Sequence, residues 1–303
     1  MRDGEFALRK ISLHEIPGYD TFASIHPIIE GCSGEDKYCV TTAQGEKQFL
    51  RVGVCDKSFN NHKMHLRAET LDITIAKTIR FGLFPGGKRY YWLLTWLEGA
   101  SAYDVLPTLD TAGQFGLGVK SGRLLRKIHS LPVQEKMEPL HDWLGRNITY
   151  FYKQRRRNYK NRSALYDRIA AYIEGRKGIL RTRPQVFMHG DFGLSNLIVT
   201  SGGEIAPTDF SYNFRAYGDP CAEISNFCER GATTPYMSGQ INGYFGGDIP
   251  EDFWEAYLFF EAYTALIILS TRESRAWIDF LEAWHEERAE NPKSIVPAWF
   301  IRS

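Results

Sequence analysis

Apolar residues follow two rhythms along this chain, and the change between them divides it. In the first third they come in short blocks of strand length. Ile28-Ile29 runs into a small-residue turn at Gly31-Cys32-Ser33-Gly34, and Lys37-Tyr38-Cys39-Val40-Thr41 resumes as a strand. Gln44-Gly45 turns into Gln48-Phe49-Leu50-Arg51-Val52, a strand with a cation near its end, and Tyr90 to Thr95 reads as a further buried strand closed by Trp96-Leu97-Glu98-Gly99. Between them Met64, Ala68, Leu71, Ile75 and Ile79 recur at helical spacing, which predicts one helix from about Asn60 to Arg80 with Glu69 bordering its stripe. Beyond Leu97 the helical period takes over, over residues 114–130, 142–175, 220–230, 251–272 and 273–289, with Asp219-Pro220 supplying an N-cap and a first-turn proline. The pattern predicts an α+β fold of two lobes, residues 1–97 rich in strands and residues 98–303 mainly helical.

Composition narrows the classes. A chain of 303 residues, 43% apolar and 24% charged, is ordinary for a folded protein with a sizeable core. A formal charge of +1 lacks the basic excess of nucleic-acid binders, and the basic run Lys153 to Arg162 reads as a solvated helix face. The start, Met1-Arg2-Asp3-Gly4-Glu5, leads into no apolar signal region, and Leu258 to Leu269 is about half a membrane span and carries Glu261. A soluble, cytoplasmic protein without nucleic-acid or membrane partners is expected. The five cysteines, Cys32, Cys39, Cys55, Cys221 and Cys228, form no Cys-x-x-Cys pair, so reduced structural thiols are expected rather than a disulfide framework or structural zinc.

The richest chemistry lies in His189-Gly190-Asp191-Phe192-Gly193-Leu194-Ser195-Asn196 and in Asp209-Phe210-Ser211. Val186-Phe187-Met188 leads into the first segment. Leu197 to Thr200 and Glu204 to Thr208 then read as the arms of a hairpin around Ser201-Gly202-Gly203. Pairing Thr200 with Ile205 sets Asn196 opposite Asp209, so two oxygen ligands meet at one end of the hairpin. A small oxygen-only set suits Mg²⁺, which keeps waters and takes further ligands from substrate phosphates. Asp191, on the loop that enters the hairpin, is placed to accept a hydroxyl proton. These are the parts of a phosphoryl-transfer site. The string Asp191-Phe192-Gly193 imitates the metal-binding motif of protein kinases. That reading would need a His-x-Asp-x-x-x-x-Asn loop about 15–20 residues upstream, and residues 165–190 contain none. Asp191 is therefore read as the base, with Asn196 and Asp209 as the metal ligands.

The ordered set of motifs resembles the aminoglycoside phosphotransferase family of the protein-kinase-like fold. Phe49-Leu50-Arg51-Val52-Gly53 resembles its third strand, Leu93 to Gly99 its hinge and Leu124 to Pro132 its L-x-x-L-H-x-L-P helix end. His189 to Asn196 resembles its H-G-D-x-x-x-x-N loop, Thr208-Asp209-Phe210 its I-D-F/W, and Gly218 to Ile224 its G-D-P-x-x-D-L. The resemblance implies ATP or GTP as phosphoryl donor with Mg²⁺, and Arg51 and Glu69 as the pair that positions the nucleotide phosphates. It also implies a nucleotide base held by backbone near Trp96, Leu97 and Glu98, while the small-residue turn at Ser33 and Gly34, by its own geometry, lays backbone N–H groups where they can meet phosphates. Three departures stand out: Arg51 in place of lysine, Pro207 in the strand before Asp209, where it removes a ladder donor, and Glu223 where aspartate is common.

For the acceptor the family implies a small hydroxyl compound, foremost a cationic aminoglycoside antibiotic. Carboxylates of the second lobe would then bind it through charge-assisted hydrogen bonds. Glu229 and Glu261 are the candidates. Glu229 reads equally as one half of a solvated pair with Arg230, and Glu261, inside an apolar stripe, as the partner of a core cation. Other acceptors are a macrolide, choline, homoserine or a sugar. A non-catalytic nucleotide- or drug-binding protein is disfavoured by the complete set of Asp191, Asn196 and Asp209. A protein kinase is disfavoured because no Ala-Pro-Glu signal follows and only nine residues separate Asp209 from Asp219.

Overall fold

The structure is a computed structural model that describes residues 13–29, 34–85, 87–133, 137–158, 164–212, 215–224, 232–271, 296–297 and 299–301, with the backbone alone for residues 55–58 and 158. The chain packs as two compact units, Met1–Glu69 with Ile75–Glu98 and Thr70–Thr74 with Gly99–Ser303.

The first unit is an antiparallel sheet with one helix. Its strands are β1 (Phe22–Ile28), β2 (Asp36–Thr42), β3 (Lys47–Val54), β4 (Thr78–Leu83) and β5 (Arg89–Thr95), in the order β1-β2-β3-β5-β4. The alternation of β5 shows why the sheet is buried on both faces. Tyr91 and Leu93 join Val40, Leu50, Val52 and Phe84 on one face, while Tyr90, Trp92 and Leu94 pack with Ala76 on the other. Helix α1 (Cys55–Ala68) covers the second face, where His62 stacks on Phe81 at 3.8 Å and His65 meets the edge of Trp92 at 4.9 Å. The helix predicted to reach Arg80 therefore ends twelve residues earlier, and Ile79 lies in strand β4. Thr70, Ile73, Thr74, Ile75, Thr78 and Ile79 explain the stop, because β-branched side chains lose rotamer freedom in a helix and fit a strand.

The second unit opens with β6 (Gly99–Ser101) and a single turn, α2 (Ala102–Val105), followed by the helices α3 (Thr111–His129), α4 (Leu140–Asn158) and α5 (Ala164–Arg176). Next come the short strands β7 (Val186–Phe187), β8 (Leu197–Thr200), β9 (Ile205–Pro207) and β10 (Tyr217–Gly218), and last the helices α6 (Cys221–Ile224), α7 (Thr234–Phe245) and α8 (Phe253–Thr271). The stretch predicted as one helix over 142–175 is two, α4 and α5, and the helix predicted over 273–289 lies outside the described residues.

The sequence reading missed α7, whose glycines and mixed polarity hide a helical stripe. Those glycines are why it can lie so close to α3. Cβ atoms at Gly239 and Gly243 would fall on the carbonyl oxygens of Phe115 and Val119, and Cβ atoms at Gly118 and Gly122 of α3 on those of Tyr236 and Gln240. The two helices thus touch backbone to backbone. Between them the buried Ser121 hydroxyl accepts from Tyr236 (2.8 Å) and Gln240 (3.1 Å). Helix α8 is apolar all round, with thirteen of its nineteen residues buried, as a core helix must be. Among the described residues it alone is long and apolar enough to cross a membrane, and most of it is buried inside the protein. The basic run is not wholly a solvated face: Arg155 is buried, donates to the Leu269 carbonyl at 3.0 Å and lies over the Tyr166 ring.

Candidate active site

The loop bearing Asp191 leaves β7 and is held by its backbone. Buried Glu223, in the turn of helix that Asp219 caps by accepting from the Cys221 amide at 2.8 Å, receives the amides of both His189 (2.9 Å) and Gly190. His129, at the end of α3, stands 2.9 Å from the same carboxylate through Nε2 and 2.8 Å from the Tyr244 hydroxyl of α7 through Nδ1. An ionised carboxylate only accepts, so His129 Nε2 carries a proton toward it. Burial alone would raise the Glu223 pKa, but the hydrogen bond and charge of His129, with His189, hold it below the usual range. His189 is fully buried between Phe192 and Phe210, and that burial lowers its pKa against the pull of Glu223, Asp191 and Asp209. Gly190 has φ +86, and a Cβ there would fall on the Ser211 carbonyl oxygen, so only glycine fits.

Asp191 follows directly and is exposed. Its carbonyl accepts from the Gly193 amide (2.9 Å) and from the side-chain nitrogen of Asn196 (2.9 Å). With that nitrogen donating to the loop, the side-chain oxygen is the acceptor end of the Asn196 amide.

Asp209 reaches the loop by a different register from the one predicted. The strands pair Leu197 with Pro207, Ile198 with Ala206 and Val199 with Ile205, so Asn196 faces Thr208 and Thr200 faces Glu204. The shift of one residue comes from the turn. Gly203 at φ +73 completes a three-residue loop in which the Gly203 amide donates to the Thr200 carbonyl, one residue tighter than the pairing assumed. In this register Pro207 removes no ladder bond, since the backbone bonds fall at Thr200 with Glu204 and at Asn196 with Thr208, and β9 is an edge strand. Asp209 is one residue beyond the pairing, at φ 57, the only positive φ outside glycine among the described residues. Two backbone bonds pin it there, Thr208 N to the Asn196 carbonyl at 2.8 Å and Ser211 N to the His189 carbonyl at 2.9 Å. The structure therefore brings Asn196 and Asp209 to the same loop without setting them directly opposite. An amide oxygen and a carboxylate suit a hard divalent cation that takes its other ligands from water and phosphates, so this donor set fits Mg²⁺. Among the described residues no cluster of three His, Cys, Asp or Glu side chains offers a rival metal site.

The residues of the first unit are arranged less as expected. Glu69 caps α1 at its C-terminal end and does not pair with Arg51. Its carboxylate lies 3.3 Å from His65 Nε2 and accepts from the Thr78 amide (2.8 Å) and hydroxyl (2.6 Å). Burial works against ionisation there, yet these hydrogen bonds bring its pKa down to about 2. The reason is the early helix end, which turns Glu69 toward β4 rather than over β3. Arg51 is buried and paired with Glu35, a residue the sequence reading passed over. Trp96 packs edge-on against Phe49, Leu97 covers the cluster around Trp92, and exposed Glu98 pairs with Lys47 at 3.0 Å. Gly34 sits at φ +70 before β2; Ser33 lies outside the described residues, as does Glu229. Glu261 is 2% exposed in α8 and has an interaction partner.

A sequence model of the phosphotransferase enzyme family matches residues 61–260, a span that holds the whole loop from His189 to Asn196 and Asp209. The chain belongs to this family. It is a phosphotransferase, and the resemblance of its motifs is borne out. No curated protein sequence matches it. Among solved structures, the streptomycin–ATP–APH(2'')-IIa ternary complex aligns at a TM-score of 0.63 with 12% identity, over 86% of this chain and 90% of that one. A thermostable mutant of the aminoglycoside phosphotransferase APH(4)-Ia with ADP and hygromycin B aligns at 0.64 with 16% identity, over 91% and 95%. The amicoumacin kinase hAmiN, in complex with AMP-PNP, Ca²⁺ and Ami, aligns at 0.58 with 14% identity, over 91% and 90%. At these identities the likeness establishes the fold, the two-lobed kinase-like α+β architecture of a phosphotransferase.

Proposed function

We propose that this phosphotransferase moves the γ-phosphoryl group of ATP or GTP to a hydroxyl of a small cationic acceptor of the aminoglycoside kind. The observation that carries the reading is the contrast at the loop: the Asp191 side chain is exposed while the backbone on both sides of it is fixed by Glu223, Gly193 and Asn196. A carboxylate held in that way can accept the proton of an acceptor hydroxyl and aim its oxygen, which is the positioning that phosphoryl transfer requires. Asn196 and Asp209 would hold Mg²⁺, which when bound neutralises charge on the transferring phosphates. Arg51 would meet the nucleotide phosphates from the first unit, and the backbone of Trp96 to Glu98 would meet the base.

For the acceptor, support comes from the solved structures of this fold that hold streptomycin or hygromycin B. One observation favours a second reading, a less charged hydroxyl compound. Glu261, one of the two carboxylates expected to meet a cation, is buried in the helix core. The test is release of nucleoside diphosphate from ATP and from GTP across a panel of aminoglycosides, macrolides and small amino alcohols. Release with aminoglycosides is expected, and release only with uncharged acceptors would move the conclusion to the second reading. Asp191→Ala should lower turnover by about 10³-fold or more while leaving nucleotide affinity nearly unchanged. Undiminished turnover in that variant would remove Asp191 from the chemistry.

A further inference from the structure

We propose that Glu35, and not Glu69, is the carboxylate that positions Arg51 for the nucleotide phosphates. This rests on the phosphotransferase reading with a nucleoside triphosphate as donor, and it deepens that reading at a residue no motif marks.

The sheet register brings the parts together. Strand β2 pairs Asp36 with Val52 and Lys37 with Arg51, and β5 pairs Tyr90 with Gly53 and Trp92 with Arg51. Glu35, just before β2, therefore falls opposite Gly53 and diagonal to Arg51 on the same face, with Tyr90 and Trp92 on the far side of β3. Gly53 has no side chain to intervene. Arg51 Nε donates to Glu35 Oε2 at 2.7 Å and Nη2 approaches the same oxygen; the side chains of the pair are only 6% and 9% exposed. The Tyr90 hydroxyl donates to the other carboxylate oxygen at 2.7 Å, and the guanidinium lies 5.4 Å from the centre of the Trp92 ring. A flexible cation is thus fixed before any ligand arrives. In kinases that service is performed by a helix glutamate. Here Glu69 is occupied with His65 and Thr78. Glu35 is also the residue after Gly34, in the turn read as a phosphate contact, so one carboxylate ties that turn to the cation on β3.

The experiment is a double-mutant cycle on the full-length protein, reading the Kd of AMP-PNP with Mg²⁺ by calorimetry and the melting temperature of each variant. Glu35→Gln and Arg51→Gln are each expected to weaken binding by about tenfold, as loss of a charge-assisted contact does, and the double variant to be no worse than Arg51→Gln alone. The same cycle with Glu69→Gln should multiply, because Glu69 does not act through Arg51. Tyr90→Phe, which keeps both charges, should weaken binding by about threefold. If Glu35→Gln tightens binding or leaves it unchanged, or if its effect multiplies with that of Arg51→Gln, the proposal is overturned, and Glu35 is then a structural or sequestering partner. If the unaltered protein binds neither AMP-PNP nor GTP, the donor assignment falls and takes this proposal with it; binding by the unaltered protein with a multiplicative cycle sinks this proposal alone.

Discussion

Asp191 and Arg51, the two charged groups proposed to meet the acceptor and the nucleotide, are held by opposite means. The loop around Asp191 is fixed through main-chain atoms: the amides of His189 and Gly190 on Glu223, that of Gly193 on the Asp191 carbonyl, and those of Thr208 and Ser211 on the Asn196 and His189 carbonyls. Arg51 is fixed through side chains, with Glu35, Tyr90 and Trp92 converging on it. A main-chain cage leaves the functional side chain free to move and demands particular residues at a few backbone positions. A side-chain cage immobilises the functional group and lets its partners come from anywhere the sheet brings near.

Among changes that leave Asp191 and Arg51 themselves in place, the largest effect should come from disturbing the first cage where it has no slack. Gly190→Ala puts a methyl on the Ser211 carbonyl at a φ of +86, and turnover should fall by about 100-fold or more, as for any misplacement of about 1 Å at a reacting group. Circular dichroism on the same sample separates a displaced loop from an unfolded one. Turnover within tenfold of the unaltered enzyme would mean that the cage does not set the position of Asp191.

Next in size is Glu223→Gln, which keeps the volume and removes the charge beside His129. Taking one partner from a buried pair destabilises by about 3–5 kcal/mol, and kcat should fall about tenfold with nucleotide affinity little changed. Glu223→Asp should recover part of the loss in kcat. Because the folded-state pKa of Glu223 is depressed, its contribution is present above the ordinary glutamate pKa and is lost as pH falls through the lower folded value, so the two proteins should converge in stability in acid.

The smallest effect tests the other region. His62, stacked on Phe81, has its pKa lowered to about 4 by burial and by neighbouring His65. Below pH 6.5 the unfolded chain takes up a proton that the folded chain refuses, so the first unit should lose stability between pH 6.5 and about 4. His62→Gln should flatten that dependence by a few degrees of melting temperature between pH 7 and pH 5. Equal slopes in both proteins would show that the ring is not kept neutral.

The same contrast explains what could be read from the sequence. His189 to Asn196 and Asp209 were legible because a main-chain cage needs local spacing and a glycine, and both are written along the chain. Even there the register slipped by one residue, since Gly203 decides the loop length through its φ and not through its polarity. Glu223, His129 and Arg183, whose fork grips Asp219 at 2.6 and 3.1 Å, stood inside or beside the motifs, but their contacts span 33 to 115 residues. The pairing of Arg51 with Glu69 rested on the resemblance alone, and the helix that ends at Ala68 ahead of a run of β-branched residues turns Glu69 toward Thr78 instead. Glu35 left no signal at all, as its role exists only once three strands are aligned.

The seam between α3 and α7 inverts the usual ranking of substitutions. Elsewhere in a helix, glycine to alanine is the mildest change available and by propensity a favourable one. At positions 118, 122, 239 and 243 the added methyl has no room, because the carbonyl of the other helix already occupies it. These two helices carry His129 and Tyr244 to Glu223, so a seam that cannot take a single added carbon atom lies away from the Asp191 loop and is linked to it through Glu223 and the backbone that Glu223 holds.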